Sequence, residues 1–157
     1  MKAKIAVLTL LAAAVPLLSP AAETERQLLG LLTITGKCLR VVVGAEDFSQ
    51  GCGGSLGTSA FSDGRTGFYF TLRSNHILTF SGLGVARTGK DGDGFAIDRV
   101  IFNSGVETTK PKVLAATGRC TFGDPYKGAM TVRCDGNLAQ GTPFSASFHS
   151  DGSPPTE

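Results

Sequence analysis

The stretch that decides the fold is residues 118–134, which read Gly-Arg-Cys-Thr-Phe-Gly-Asp-Pro-Tyr-Lys-Gly-Ala-Met-Thr-Val-Arg-Cys. The central Gly-Asp-Pro-Tyr-Lys-Gly predicts a turn, because Gly, Asp and Pro each favour turn geometry. The flanking residues predict two short strands, closed by a disulfide between Cys120 and Cys134. Residues 36–56 repeat this outline, with the same spacing between Cys38 and Cys52. Two disulfide-closed segments are therefore expected to frame the domain.

The four cysteines allow three pairings, and an even number in an exported chain favours two disulfides. We favour Cys38 with Cys52 and Cys120 with Cys134, because each pair flanks one short turn. On the chain-entropy model, each closed loop of about 15 residues adds roughly 3 kcal/mol to stability. A zinc site is disfavoured, since the chain has no Cys-x-x-Cys pair and an exported protein meets an oxidising compartment.

The first residues of the chain predict export. Lys2 and Lys4 give a positive start, residues 5–18 form an apolar run and small residues follow at 19–22, which is typical of a secretory signal peptide. The run is shorter than the ~20 apolar residues that a membrane-spanning helix needs, so no integral membrane segment is expected. We predict a secreted or periplasmic protein with three parts: a signal peptide at 1–22, one domain at 23–150 and a loose tail at 151–157.

The charge balance argues against two classes of partner. Lys2 and Lys4 leave with the signal peptide, which lowers the 15 Lys and Arg residues to the number of Asp and Glu residues, 13. The remaining basic residues are scattered singly, so the chain has no electrostatic footprint for nucleic acid or anionic lipid. We therefore expect the partner to be an unknown protein or an envelope component.

Apolar patterning at the start of the mature chain predicts strands. Residues 28–35 and 37–43 are predicted as two strands separated by Gly36. In the second strand, the apolar side chains at the odd positions of 39–43 share one face. Cys38 then lies on the other face, which places the first disulfide outside the main core.

Residues 67–82 predict the clearest hairpin in the chain. Apolar side chains alternate in residues 68–72 and again in residues 76–80. A three-residue turn at 73–75 sets these two rows against each other, whereas a two-residue turn would set the first row against polar residues. We choose the three-residue turn, because Asn75 tolerates the left-handed conformation that such a turn needs at its last position.

The pattern is less regular beyond this hairpin. Residues 81–94 contain five glycines and no periodicity, so they are predicted to form the longest loop. Residues 95–103 are predicted as a strand, in which Asp98 and Arg99 put a charge on each face, so one face must be solvated or the charge must be paired. Residues 143–149 alternate cleanly, with their phenylalanines inward. Together the segments predict an all-β domain, an antiparallel β-sandwich or flattened barrel of eight to ten short strands with two hairpin-type disulfides.

A nucleophile motif has a simpler explanation than catalysis. Residues 53–57 match the Gly-x-Ser-x-Gly elbow, but the residues after Ser55 do not predict the helix that the elbow requires. His76 and His149 are the only histidines, and each is predicted to end a strand. An enzyme that uses His76 or Ser55 is the least favoured reading.

A calcium loop is suggested by Asp91 and Asp93, because carboxylates at alternate positions can converge on a hard cation. The pattern then fails, since Phe95 and Phe102 stand where further oxygen ligands are expected. A polar turn explains the segment better, and no cofactor is predicted.

One resemblance concerns the last third of the chain. The run from Cys120 to Gly128 and on to Cys134, together with Phe-His-Ser-Asp-Gly-Ser-Pro-Pro at 148–155, resembles a pattern in short exported bacterial proteins without an assigned role. The resemblance implies an envelope or secreted location and two disulfides. It carries no catalytic residues.

The favoured function is a small exported, non-catalytic binding or structural module that presents the 81–94 loop and the turn at 124–127 to a partner. An inhibitor of a secreted or periplasmic hydrolase is the alternative, because small rigid β-folds with projecting loops suit that role. The predicted contact residues are Arg87, Lys90, Asp91, Asp93, Asp124, Tyr126 and Lys127.

Overall fold

The structure is a computed structural model that describes residues 26–87 and 92–157. Nine strands lie in these ranges: β1 Leu28–Val43, β2 Glu46–Asp47, β3 Ser55–Phe61, β4 Arg65–Thr71, β5 Ile77–Arg87, β6 Asp93–Asn103, β7 Lys112–Phe122, β8 Thr131–Leu138 and β9 Pro143–Ser150. Single-turn 3-10 helices occur at Ser49–Gly51, Arg73–Asn75 and Pro125–Lys127. The predicted signal peptide lies outside the described residues.

The sheet closes on itself through β1. From β3 to β9, each strand pairs antiparallel with the next in sequence, and β1 pairs with both β3 and β9. The result is an eight-stranded antiparallel barrel with β2 as one extra strand beside β1. The prediction of an all-β antiparallel fold is confirmed. Of the two predicted alternatives, sandwich and barrel, the structure shows the barrel.

β1 is one strand of 16 residues rather than the two short strands predicted. Its first half, up to Thr35, pairs with β3, and its second half, from Gly36, pairs with β9. A Cβ at Gly36 would collide with the carbonyl oxygen of His149. Glycine therefore marks the point at which the strand changes partner, not the point at which it ends.

The prediction that Cys38 lies outside the core is wrong. A β-bulge between Cys38 and Arg40 shifts the register of β1 against β9 and reverses the alternation. Leu39 is therefore 49% exposed, while Cys38 packs against the core and Val41 is buried.

The predicted β4–β5 hairpin is confirmed. Phe68 pairs with Phe80, and Phe70 pairs with Leu78, around a turn at Arg73–Asn75. Asn75 has a positive φ of 61°, as expected. These inward side chains form the aromatic centre of the core, with the Phe70 and Phe80 rings 5.6 Å apart.

The prediction of a long loop at residues 81–94 is wrong for most of its length. β5 continues to Arg87, and β6 begins at Asp93. A register shift between Leu83 and Ala86 puts an extra residue into β5 and breaks its alternation. This irregularity hid the strand from a periodicity argument.

Both predicted disulfides are confirmed. Cys120 and Cys134 lie directly opposite each other on β7 and β8, whereas Cys38–Cys52 joins β1 to the segment before β3. The tail is not wholly loose, because Thr33 and Thr156 exchange two backbone hydrogen bonds of 2.7 and 3.0 Å.

Two glycines of β1 provide a matched test of this closure. Gly36→Ala is expected to lower the free energy of unfolding by about 1–3 kcal/mol, because the new methyl group meets the backbone of β9. Gly30→Ala is the control, since a Cβ there meets nothing within 4 Å, and it is expected to be neutral or to stabilise by about 0.4–1 kcal/mol. Urea denaturation with both disulfides intact measures the two effects, and equal effects would contradict the closure.

Candidate functional site

The structure places Arg87 and Asp93, the described contact residues of the first predicted segment, at the same end of the barrel as the turn at 124–127. This end, where β3, β5, β7 and β9 finish at Phe61, Arg87, Phe122 and Ser150, is called the mouth, and the opposite end is called the far end. Asp93 at the start of β6 pairs with Phe122. The start of β6 and the β7–β8 connection are therefore neighbours at the mouth.

The β7–β8 connection carries a braced turn with an exposed aromatic side chain. The Asp124 carboxylate accepts a hydrogen bond of 3.0 Å from the Tyr126 backbone N–H, and its other oxygen lies 3.3 Å from Lys127 Nζ. The nearby disulfide joins the two strands that hold the turn. Tyr126 is 65% exposed. Asp124, Tyr126 and Lys127 thus form one accessible group on a hydrogen-bonded turn.

A cavity of about 260 Å³ opens beside this turn, inside the mouth of the barrel. Its deep wall is formed by inward side chains of β1 and β4, with Phe122 of β7 opposite. The Phe68 and Phe122 rings meet edge to face with centroids 5.2 Å apart. Val85, Pro125 and Met130 are further lining residues.

Small residues leave this cavity open. Gly30 of β1 and Ala60 of β3 line it. In contrast, the middle of the barrel is filled. There Phe144 packs on Phe80, with ring centroids 5.2 Å apart, and covers Gly118. The site is therefore apolar and lies only at the mouth.

An ion pair on the outer surface of the barrel was not foreseen from the sequence. Arg65 donates two hydrogen bonds to Asp98, from Nη1 at 2.8 Å and from Nη2 at 2.7 Å. Arg99 Nε donates a third to Asp98 at 2.9 Å. Asp98 is the extra residue of a bulge between Ile97 and Arg99, so both charges face outward and the alternative of a paired charge is confirmed.

The ion pair shifts both titrating groups. The hydrogen bonds from Arg65 lower the pKa of Asp98 from 3.8 to about 2, and those to Asp98 raise the pKa of Arg65. The Arg65 side chain is 7% exposed and that of Asp98 is 40% exposed. The pair joins β4 to β6 across β5, so its role is structural.

The stabilisation by Asp98 is expected to depend on pH. Because the folded-state pKa lies below the ordinary value of 3.8, the carboxylate stabilises the fold above about pH 4, and the effect fades as pH falls toward 2. Asp98→Asn is expected to cost about 1–2 kcal/mol at pH 7, less than a fully buried pair because Asp98 is partly exposed. Urea denaturation from pH 7 to pH 2.5 measures the difference.

The control for this measurement is Asp135→Asn on β8. Asp135 is exposed and forms no ion pair among the described residues, so its substitution is expected to change little at any pH. A deficit of Asp98→Asn that stays constant from pH 7 to pH 2.5 would refute the pairing.

The candidate catalytic residues Ser55, His76 and His149 lie at the far end or on the outer face of the barrel. Ser55 is the first residue of β3, not part of a strand–turn–helix elbow. His76, also at the far end, packs its ring 5.2 Å from that of Phe102. His149 Nδ1 lies 2.9 Å from Thr131 Oγ1 on the outer face. No hydrogen bond joins Ser55 to either histidine.

The segment with the disfavoured calcium pattern falls partly outside the described residues, because Asp91 is not among them, and neither is the predicted contact residue Lys90. Asp93 begins β6, and Arg87 opposite it ends β5. Within residues 26–87 and 92–157, no three His, Cys, Asp or Glu side chains are grouped to hold a metal ion.

No protein-family model, no curated protein and no solved structure matches the chain. In the part of the chain that the structure describes, no helix is long and apolar enough to cross a membrane. Function must therefore be argued from the site itself.

Sequence reasoning found the turn at 124–127 but missed the cavity beside it. The cavity is formed by residues far apart in sequence, from Gly30 to Met130. The only available signal was small side chains, Gly30 and Ala60, at inward positions of two strands that pair with each other.

Proposed function

We propose that this protein is an exported, non-catalytic binding module that contacts its partner through the mouth of the barrel. The observation that carries the proposal is that the braced turn at 124–127 lies beside an open apolar cavity at the mouth. Exposed aromatic groups next to a concave apolar surface are typical of interaction sites.

Rigidity of the contact turn supports binding. Residues 124–127 are braced by a hydrogen bond from the Tyr126 backbone N–H to the Asp124 carboxylate, an ion pair and a disulfide between the supporting strands. A surface that is already ordered loses less conformational entropy when it binds. Tyr126 supplies a large contact area and Lys127 an exposed charge.

Export is supported by the two disulfides, because such bonds persist in oxidising compartments. The signal-like sequence at residues 1–22 agrees with this reading. The partner is then an envelope component or an extracellular protein.

Inhibition of a secreted or periplasmic hydrolase is the second candidate. The feature that favours it is the same turn, which projects Tyr126 from a rigid support. Preorganised loops of this kind fit the cleft of an enzyme without reordering.

Site-specific photo-cross-linking tests where the partner binds. A photoreactive amino acid at Tyr126 is expected to capture a protein or envelope component in the exporting cell. The same group at Val106, which is 52% exposed in the β6–β7 connection at the far end, is the control. Capture from Val106 but not from Tyr126 would overturn the proposal.

Binding of the captured partner is then measured with purified variants. Tyr126→Ala and Lys127→Ala are each expected to weaken binding at least tenfold, the effect of losing a central contact residue, and Val106→Ala is expected to change it little. If the captured partner is a hydrolase that loses its activity in the complex, the protein is an inhibitor. If the partner keeps its activity or has none, the binding-module hypothesis is favoured. Undiminished binding by both mouth variants would count against the site.

A further inference from the structure

We infer that the mouth cavity binds one uncharged, largely apolar small molecule. The inference deepens the proposed function, on which it rests for the choice of this end of the barrel. It assigns a ligand class to the cavity itself, whereas the turn at 124–127 contacts the macromolecular partner.

The chemistry of the wall excludes a charged ligand. No charged side chain is among the described residues that line the cavity. Of its three hydroxyl groups, Ser59 Oγ lies 2.6 Å from Tyr69 Oη, Thr66 Oγ1 donates to the Ser59 carbonyl at 2.8 Å, and the third belongs to Thr58. An ion would lose its hydration without gaining an opposite charge, while an apolar molecule gains contact with the aromatic wall.

A comparison of three inward glycines shows that close backbone packing does not explain the glycine in the cavity wall. At the inward positions Gly36 and Gly82, a Cβ would collide with a carbonyl oxygen of the neighbouring strand. At Gly30, a Cβ meets nothing within 4 Å. The backbone therefore does not require glycine at this position, and the absent side chain keeps the cavity open.

The volume sets the size of the ligand. The cavity holds about 260 Å³. An apolar protein cavity of roughly 150 Å³ admits benzene, so by proportion this one accommodates about ten non-hydrogen atoms. A two-ring aromatic compound or a medium-length aliphatic chain has this size.

Titration with 2-naphthol, followed by NMR of the protein purified after export, tests the inference. This probe is uncharged near neutral pH and has two fused rings. Saturable shifts are expected at residues of the cavity, including Ala60, Phe68 and Phe122. The matched probe 2-naphthoate has the same rings and a carboxylate, and it is expected to bind at least tenfold more weakly.

Cavity-filling variants provide the second arm. Gly30→Leu and Ala60→Phe are expected to weaken 2-naphthol binding at least tenfold. Ala115→Phe is the control, because Ala115 is exposed on the outer face of β7 and its substitution leaves the cavity unchanged. The melting temperature of each variant shows whether it is folded.

Three results would overturn the inference: no saturable binding of 2-naphthol, equal binding of 2-naphthoate, or shifts confined to the outer groove near Leu31 and Tyr69. Mapping the NMR shifts on the unsubstituted protein locates the binding site even if a cavity-filling variant does not fold. If 2-naphthol does not bind but the photoreactive group at Tyr126 captures a partner, only the inferred ligand class is wrong. If 2-naphthol binds and Tyr126 captures nothing, the partner proposal fails instead.

Discussion

The structure depends on one strand that pairs along both of its edges. β1 forms a ladder with β3 through its first half and with β9 through its second half, which joins the two ends of the chain of strands. An open sheet of this size would expose two edges, whose unpaired N–H and C=O groups invite association with other chains. Closure satisfies these groups within the barrel and gives every strand from β3 to β9 two neighbours. Gly36 makes the exchange of partners sterically possible, because the backbone of β9 at His149 and Ser150 lies where a side chain would stand.

Closure also makes the two ends of the barrel different. The middle is packed with phenylalanines such as Phe70, Phe80 and Phe144, all of them buried. At the mouth, Gly30 and Ala60 stand in the wall instead, and a cavity remains. The same end carries the braced turn with Tyr126, whereas the far end carries Ser55 and His76 without a hydrogen bond between them. This difference between the two ends is the reason why we propose binding at the mouth.

Strict alternation decided which parts of this fold were predictable from the sequence. The β4–β5 hairpin and the inward phenylalanines of β9 followed from period-two patterns, and the disulfide pairs followed from equal spacing around short turns. Bulges defeated the same reasoning, because one extra residue reverses the faces beyond it. They turned Cys38 inward, hid the second half of β5 and placed both Asp98 and Arg99 outside. The Arg65–Asp98 pair and the cavity were missed because both unite residues distant in sequence.

Closure by β1 is tested most directly by contacts between backbone protons in the NMR spectrum of the oxidised protein. A closed barrel requires contacts from Thr33 to Gly57 on β3 and from Val41 to Ala146 on β9 in the same sample. Both sets of contacts are expected at comparable intensity. Contacts to β3 without those to β9 would show an open sheet and would remove the mouth and its cavity.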